Sequence, residues 1–213
     1  MRFRDRADAG RQLAGALRRL CGEEGLIVLG LPRGGVVVAA EVAKTLQAPL
    51  DVLVVRKLGF PGHEELAIGA VASGGVRVLN DEVVAHAPLD AEGLARREAQ
   101  GHAAVTALEH ELRGERVAAT LNGRLVVLVD DGLATGATMR VAVVAARRAG
   151  ARHVVAAVPV GSPEAVHDLE ALADDVVCLV VPAPFRAVGL HYRDFSAVEE
   201  DEVRALLVRS SSE

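Results

Sequence analysis

The chain has 213 residues, of which 51% are hydrophobic, so it is long and apolar enough to bury the core of one domain. Its net charge of −5, with no Trp and a single Tyr, argues against a nucleic-acid-binding protein, which usually has a basic surface and stacking aromatics. Charged residues interrupt every long apolar run, and the N-terminus lacks an apolar leader. Cys21 and Cys178 are isolated and indicate no disulfide framework. We therefore expect a cytoplasmic protein that does not cross a membrane.

The first third of the chain predicts a strand–helix–strand unit. Residues 3–10 are charged and predict a loop, which is followed by a short amphipathic helix. Residues 26–31 predict the first buried strand, residues 36–46 predict a helix, and residues 50–55 predict a second buried strand. Two strands joined by a helical crossover are expected to run parallel.

The middle of the chain is less regular. Residues 59–75 are rich in glycine, and we predict that they form a mobile loop. Residues 76–79 and 83–85 flank an Asn-Asp pair and predict a short hairpin. Residues 90–113 predict a long helix with one partly apolar face.

The second half alternates strands and helices and ends in a helix that we predict to begin with a capping box at Ser196. Strands are predicted over residues 125–129, 153–160 and 176–181, and helices over residues 138–149 and from Ser162 onward. This alternation indicates an α/β fold with a mainly parallel central sheet and flanking helices.

The stretch of residues 127–139, VLVDDGLATGATM, carries the most specific signal. A buried strand ends in Asp130 and Asp131, a loop of small residues follows, and a helix begins. The free N–H groups of such a loop and the helix dipole favour an anion. Two carboxylates would repel a bare anion, so a sugar phosphate, which also carries hydroxyl groups, fits better. The sequence contains neither the Gly-Lys-Ser/Thr of a Walker loop nor the glycine spacing of a dinucleotide fingerprint.

Two other unusual segments also follow predicted strands. Residues 32–35, Pro-Arg-Gly-Gly, follow the first strand, and the pair Arg56-Lys57 follows the second. Ligands of open parallel sheets bind at the carboxyl ends of the strands. We therefore expect the three strand-end segments to converge on one site.

The motif VLVDDGLATGATM resembles the phosphoribosyl pyrophosphate (PRPP) binding motif of type I phosphoribosyltransferases. The resemblance covers residues 26–160 in order, and the segment VLVVRKLGFPG resembles the corresponding strand of the adenine-type enzymes. It departs at Gly132, where many members carry an aliphatic residue, and at Ala137, where glycine is common. The resemblance implies the type I phosphoribosyltransferase fold as one domain of residues 1–213, with a core at about 24–182.

The resemblance also implies roles for the strand-end residues. The donor PRPP would bind to Asp130, Asp131, Gly132, Leu133, Ala134, Thr135, Gly136, Ala137 and Thr138. Its pyrophosphate would meet Arg33, Gly34, Gly35, Arg56 and Lys57. The two carboxylates, as catalytic groups, would stabilise the sugar cation that forms when pyrophosphate leaves. Mg²⁺ would be held mostly by substrate oxygens and by Asp130 and Asp131 through water, without a dedicated protein cage.

The remaining parts of such an enzyme are a lid and a hood. Residues 59–75 would form the lid, in which Glu64 or Glu65 would accept the proton of the acceptor; the alternative is that both acids only solvate the loop. The hood, the part that covers the acceptor, would come from residues 1–22 and 183–213. In it Phe185 or Tyr192 would stack on a base, unless these rings fill a small core instead.

The function predicted from these features is Mg²⁺-dependent transfer of the phosphoribosyl group from PRPP to a small nitrogenous acceptor, a nucleobase, as in nucleotide salvage. We expect a homo-oligomer, most simply a dimer, with no nucleic-acid or membrane partner. The alternative is a regulatory protein that senses PRPP or a nucleotide without transfer. A sugar-phosphate hydrolase is a weaker alternative because the sequence lacks an obvious nucleophile or metal set.

Overall fold

The computed structural model describes residues 2–210, with the exception of the side chains of residues 63–66. The helices are α1 (Arg6–Leu17), α2 (Gly34–Leu46), α3 (Asp81–His86), α4 (Ala91–Arg113), α5 (Ala137–Arg148), α6 (Pro163–Glu170) and α7 (Glu200–Arg209). The strands are β1 (Leu26–Gly30), β2 (Leu50–Val52), β3 (Val55–Phe60), β4 (His63–Ala72), β5 (Val76–Leu79), β6 (Leu125–Val129), β7 (His153–Val160) and β8 (Asp175–Val180).

The central sheet is parallel and has the strand order β2-β1-β6-β7-β8. Val28 pairs with Leu50 on one side and with Val127 on the other, so β1 and β2 are parallel neighbours, as the strand–helix–strand pattern predicted. The predicted α/β class with a mainly parallel sheet and flanking helices is thereby confirmed.

Alternate side chains of the central strands enter two separate cores, because successive residues of a strand point to opposite faces. Val127 and Val129 belong to the core under α1, α2 and α7, whereas Val126 and Leu128 belong to the core under α5 and α6. Burial on both faces explains why β6 is apolar at every position.

A second sheet, which is antiparallel and has the order β3-β4-β5, replaces the mobile loop predicted over residues 59–75. The glycines of this segment allow a tight turn and close pairing of the strands, and they do not form a loop. Gly62 has φ +77° at the β3–β4 turn, and a Cβ on Gly69 would lie 2.5 Å from the carbonyl oxygen of Val78. The second predicted buried strand is also shorter than expected, since β2 ends at Val52 and the chain turns into β3.

The hairpin predicted over residues 76–85 is also wrong. Residues 76–79 form β5, which pairs with β4, and the following residues form α3. The side chain of Asn80 accepts a hydrogen bond from the Val83 amide at 3.3 Å, so it caps a helix instead of forming a turn.

The first and last helices begin at different residues from those predicted, because their N-cap residues were not identified correctly. Residues 3–10 were expected to be a loop, but α1 begins at Arg6, and Asp5 caps it by accepting from the Asp8 amide at 2.7 Å. The predicted capping box at Ser196 does not form, because its amide and hydroxyl donate to Asp194 and α7 begins at Glu200. The first turn of α7 is acidic, which is favourable for the helix dipole.

The two ends of the chain pair with each other. The amide of Phe3 donates to the carbonyl of His191 at 2.8 Å, and the amide of Arg193 donates back to Phe3 at the same distance. Phe3 and Tyr192 are fully buried and lie with Ala9 and Val160 in a small core of their own. Residues from both termini therefore cover the carboxyl end of β7.

The long helix α4 agrees with its prediction and packs against the small sheet. Asp90 caps it by accepting from the Gly93 amide at 2.7 Å, and Gly101 allows close contact with Leu58 and Val71. Although α4 has 23 residues, its sequence is polar, and none of the helices within residues 2–210 is both long and apolar enough to cross a bilayer.

A buried ion pair connects α4 to the central sheet. The guanidinium of Arg113 donates from Nε to Asp51 at 2.8 Å, and their side chains are only 9% and 7% exposed. Arg113 also donates to Glu109 at 2.7 Å and to the carbonyl of Val52 at 2.6 Å, while Asp51 accepts from the Ala119 amide at 2.9 Å. All partners of this pair are therefore satisfied within the protein.

We predict that Arg113→Met lowers the free energy of unfolding by about 3–5 kcal/mol, because it leaves the Asp51 carboxylate buried without its cation. Arg96→Met is the matched control, since Arg96 lies on the same helix in an i,i+4 pair with Glu92 that is exposed. That change should alter stability by about 0.5 kcal/mol or less. Urea unfolding followed by circular dichroism measures both, and equal effects would contradict the role of the buried pair.

Candidate active site

The segment after β6, which we call the donor loop (residues 130–138), lies at the carboxyl edge of the central sheet. An isolated parallel bridge between Leu133 and Gly161 ties it to the end of β7. Gly136 takes the left-handed conformation, φ +70°, and α5 begins immediately after it without a side-chain cap. The N-cap residue offers no side chain to the N–H groups of the first turn of α5, and such groups can bind an anion.

The departure of the donor loop from the family pattern at Gly132 has a steric reason. A Cβ at Gly132 would lie 2.5 Å from Cγ1 of Val188, a residue in the C-terminal segment that packs over the loop. An aliphatic side chain at this position would push that segment away. Glycine at position 132 therefore allows the C-terminal segment of this chain to pack over the donor loop.

Asp130 and Asp131 lie side by side at the end of β6 and are partly buried. Oδ1 of Asp130 accepts from the Asp131 amide at 2.8 Å, and Oδ2 of Asp131 accepts from Nε of Arg6 at 2.7 Å. Burial and the neighbouring Asp131 carboxylate raise the pKa of Asp130 well above its usual range. Burial also raises the pKa of Asp131, although the bond from Arg6 opposes this shift.

The predicted pyrophosphate segment, residues 32–35, packs directly against these carboxylates. A Cβ at Gly34 would overlap Oδ2 of Asp131, and a Cβ at Gly35 would lie 2.7 Å from the carbonyl oxygen of Val129. The Pro32-Arg33 peptide bond is cis. The Arg33 side chain is about half exposed and lies 3.9 Å from Glu200. Two of the three predicted strand-end segments therefore meet at one place.

The third segment is arranged differently. Arg56 and Lys57 lie on β3 of the small sheet, where they pair with Val71 and Ala70, and both side chains are exposed. Neighbouring residues of a strand point to opposite faces, so at most one of the two can face the donor loop. The predicted lid acids, Glu64 and Glu65, lie outside the residues whose side chains the structure describes.

The sequence reasoning missed Arg6, which joins three parts of the site. Besides its bond to Asp131, its Nη1 donates to the carbonyl of Ser196 at 2.7 Å, and its guanidinium carbon lies 3.9 Å from the ring centre of Phe195. A cation in the first turn of a helix is unfavourable for the helix dipole. That mismatch was the available signal that Arg6 has a partner elsewhere in the fold.

Tyr192 and Phe185, both predicted to stack on a base, occupy different environments. Tyr192 is 1% exposed, its hydroxyl donates to the carbonyl of Asp131 at 2.6 Å, and burial raises its pKa. Its ring packs between Phe3 and Phe195, so it supports the donor loop and has no face open to a ligand. Phe185 is half-buried and lines a cavity.

This cavity, which we call the acceptor cavity after the role that we propose for it below, has a volume of about 450 Å³ and adjoins the donor loop. Its walls come from the donor loop, from the first turns of α6 and from the segment after β8: Ala134, Thr135, Ser162, Pro163, Glu164, Ala165, Asp168, Ala183, Pro184 and Phe185. Among the described residues, no group of three or more His, Cys, Asp or Glu side chains is arranged to hold a metal ion.

Replacing Asp130 by Asn should raise the melting temperature near pH 8, because Asn keeps an acceptor for the Asp131 amide and has no charge to bury. The folded-state pKa of Asp130 lies above its unfolded value of about 3.9. The free energy of unfolding of the wild type therefore falls as the pH rises from the unfolded pKa of Asp130 to its folded pKa. Near pH 4, the Asp130→Asn variant should no longer melt at a higher temperature than the wild type.

Thermal denaturation between pH 4 and pH 8 measures this effect. Asp201→Asn is the control, since the Asp201 side chain is 90% exposed, and it should show no pH-dependent gain. An Asp130→Asn protein that melts at or below the wild-type temperature at pH 8 would contradict the buried-charge argument.

Comparison with known proteins identifies the family. The family profile described as "Phosphoribosyl transferase domain" matches residues 3–194. Two Mycobacterium tuberculosis proteins named as phosphoribosyl transferases are 52% identical over 208 residues, which is 98% of this chain, although the chain spans only 47% of their length. The crystal structure of TT1426 from Thermus thermophilus is 49% identical, with a TM-score of 0.86 over 98% of this chain and 99% of that one. The chain therefore belongs to the phosphoribosyl transferase family.

Proposed function

We propose that this protein transfers the 5-phosphoribosyl group of PRPP to a nitrogen atom of a small acceptor, a nucleobase, and releases pyrophosphate. The observation that carries the proposal is the contact between the glycines of residues 32–35 and the carboxylates at the start of the donor loop. In the proposed site, the carboxylate pair would lie between a pyrophosphate subsite at residues 32–35 and a phosphate subsite at the first turn of α5. PRPP has the matching order of pyrophosphate, ribose and 5′-phosphate.

In this arrangement the 5′-phosphate would bind at the first turn of α5, with Thr135 and Thr138 as additional donors. The ribose hydroxyls would donate to Asp130 and Asp131. Arg6 already donates to Oδ2 of Asp131, so we assign the ribose hydroxyl to Oδ1. The pyrophosphate would lie on Gly34 and Gly35, next to the cation of Arg33.

The strand order supports a displacement from opposite sides. Residues 32–35 follow β1, which lies on one side of β6, whereas the acceptor cavity is formed beside β7 and β8 on the other. The acceptor nitrogen would form its bond to C1 of the ribose as the bond from C1 to the pyrophosphate oxygen breaks. Asp130 and Asp131 would stabilise the positive charge that develops on the sugar.

The proton that the acceptor nitrogen loses needs a base. We retain Glu64 and Glu65, at the start of β4, as the proposed acceptors of this proton. The donor set at the end of β6 fits Mg²⁺, which prefers oxygen ligands and keeps several waters. Asp130 and Asp131 would hold it through water beside the substrate oxygens, and when bound it would balance the charge of the leaving pyrophosphate.

Titration calorimetry with PRPP and Mg²⁺ tests donor binding. We expect Asp131→Asn to weaken PRPP affinity by roughly tenfold to a hundredfold, because hydrogen bonds to a charged group contribute about 1.5–3 kcal/mol. Asp201→Asn should bind PRPP as the wild type does, because the Asp201 side chain is 90% exposed and pairs with Arg204 rather than with a residue of the site. No PRPP binding by the wild type would refute the proposal, whereas binding without pyrophosphate release across purines, pyrimidines and amines would indicate the sensor instead.

Phe185→Ala should raise KM for the acceptor by roughly fivefold to a hundredfold and leave KM for PRPP nearly unchanged, since stacking of a base on an aromatic ring contributes about 1–3 kcal/mol. Leu190→Ala is the control, because Leu190 lies in the same C-terminal segment, is 59% exposed and does not line the cavity. Steady-state pyrophosphate release measures both constants. Equal effects on the two substrates would argue against a stacking role for Phe185.

A further inference from the structure

We propose that the acceptor cavity selects flat nitrogen heterocycles that carry N–H donors and no carboxylate, and that Glu164 and Asp168 determine this selection. The inference rests on the proposed function, because it names the class of acceptor for the same site. The charge, the hydrogen-bonding groups and the aromatic ring of the cavity walls support it.

The charge of the acceptor cavity is one-sided. Among its lining residues, the charged side chains are Glu164 and Asp168, one helical turn apart on the exposed face of α6, and none is basic. Arg140 contacts Asp168 at 3.4 Å, but this pair is half exposed and Arg140 does not line the cavity. An acceptor with a carboxylate would thus meet like charge and would find no lining cation to bind it.

The hydrogen-bonding groups of the cavity require donors on the ligand. The Ser162 hydroxyl is already engaged, since it donates to the carbonyl of Ala134 at 2.8 Å and accepts from the Ala165 amide at 3.1 Å. The Thr135 hydroxyl, which also lines the cavity, is assigned to the 5′-phosphate in the proposed function. The carboxylates of Glu164 and Asp168 remain for the acceptor, and ionised carboxylates only accept. Ring or exocyclic N–H groups of a heterocycle supply the matching donors.

The aromatic wall favours a flat ligand. The ring of Phe185 stacks nearly parallel on that of His191, with 6.1 Å between centroids and 10° between planes. Phe185 also lines the cavity, so it contributes a flat apolar group to the cavity wall. A planar heterocycle covers such a wall more completely than an alkyl amine does.

The test compares pairs of related acceptors in which one member carries a carboxylate and the other carries a neutral group or hydrogen in its place. Pyrophosphate release from PRPP and Mg²⁺ is measured with uracil against uracil 6-carboxylate, and with nicotinamide against nicotinate. For any pair that reacts, we expect kcat/KM to be higher by about tenfold or more for the member without a carboxylate. The reason is that a like charge about 4 Å away in water weakens binding about fivefold, and both Glu164 and Asp168 would repel the carboxylate of the ligand in this way. Equal use of both members, or preference for the acid, overturns the proposal.

Variants then assign the selection to named residues. Glu164→Gln and Asp168→Asn should each reduce the preference about fivefold, and Glu164→Lys should reverse it. Both side chains are exposed, so the variants should fold. Glu170→Gln, which lies on the same helix with a side chain that is 61% exposed and outside the cavity, should leave the preference unchanged. A preference that survives both cavity variants overturns the assignment.

A binding measurement separates this proposal from the proposed function. Calorimetry with the same heterocycles, in the presence of PRPP and Mg²⁺ and in their absence, reports on the cavity without turnover. Selective binding of the carboxylate-free bases that depends on Glu164, without any pyrophosphate release, would support the cavity assignment and refute transfer. Transfer that ignores the carboxylate would support the proposed function and refute the cavity assignment. Absence of both binding and transfer refutes both.

Discussion

The ion pair between Arg6 and Asp131 is the contact on which the site depends most, because one guanidinium joins both ends of the chain to the donor loop. It donates to Asp131 at 2.7 Å and to the carbonyl of Ser196 at 2.7 Å, and its face lies against Phe195. Tyr192 adds a bond from its hydroxyl to the backbone of Asp131 at 2.6 Å. The covering segments and the donor loop are therefore held together by the same few polar bonds.

The carboxylate pair shows how stability and chemistry oppose each other at this edge of the sheet. Two adjacent, partly buried acids share one cation, and the pKa of Asp130 is raised because burial and its neighbour disfavour ionisation. In the proposed reaction the same negative charge stabilises a sugar cation, which supplies the missing positive partner. Under this proposal, the folded protein tolerates two adjacent acids that would be electrostatically matched only when substrate is bound.

The order of strands in the sheet separates the proposed site of the leaving group from the proposed site of the nucleophile. Because β6 lies between β1 and β7, the glycine segment of residues 32–35 and the acceptor cavity fall on opposite sides of the donor loop. The proposed leaving group and nucleophile are separated by this topology rather than by any single residue. In the proposal, the acidic residues of α6 would add selectivity on the acceptor side only.

The sequence by itself determined the α/β class, the buried strands β1 and β6, and the donor loop, because strand, loop and helix are consecutive there and each is specified by neighbouring residues. It also indicated Gly34 and Gly35, whose place after a strand sets their position at the sheet edge. It did not predict the antiparallel sheet of β3 to β5, since glycines that serve turns and bulges resemble those of a loop. Only the tertiary structure decided that Arg6 meets Asp131, that Tyr192 is buried and that Val188 requires Gly132, because these contacts join residues more than fifty positions apart. No local pattern of side chains records a contact over that separation, and the charge of the acceptor cavity is decided in the same way.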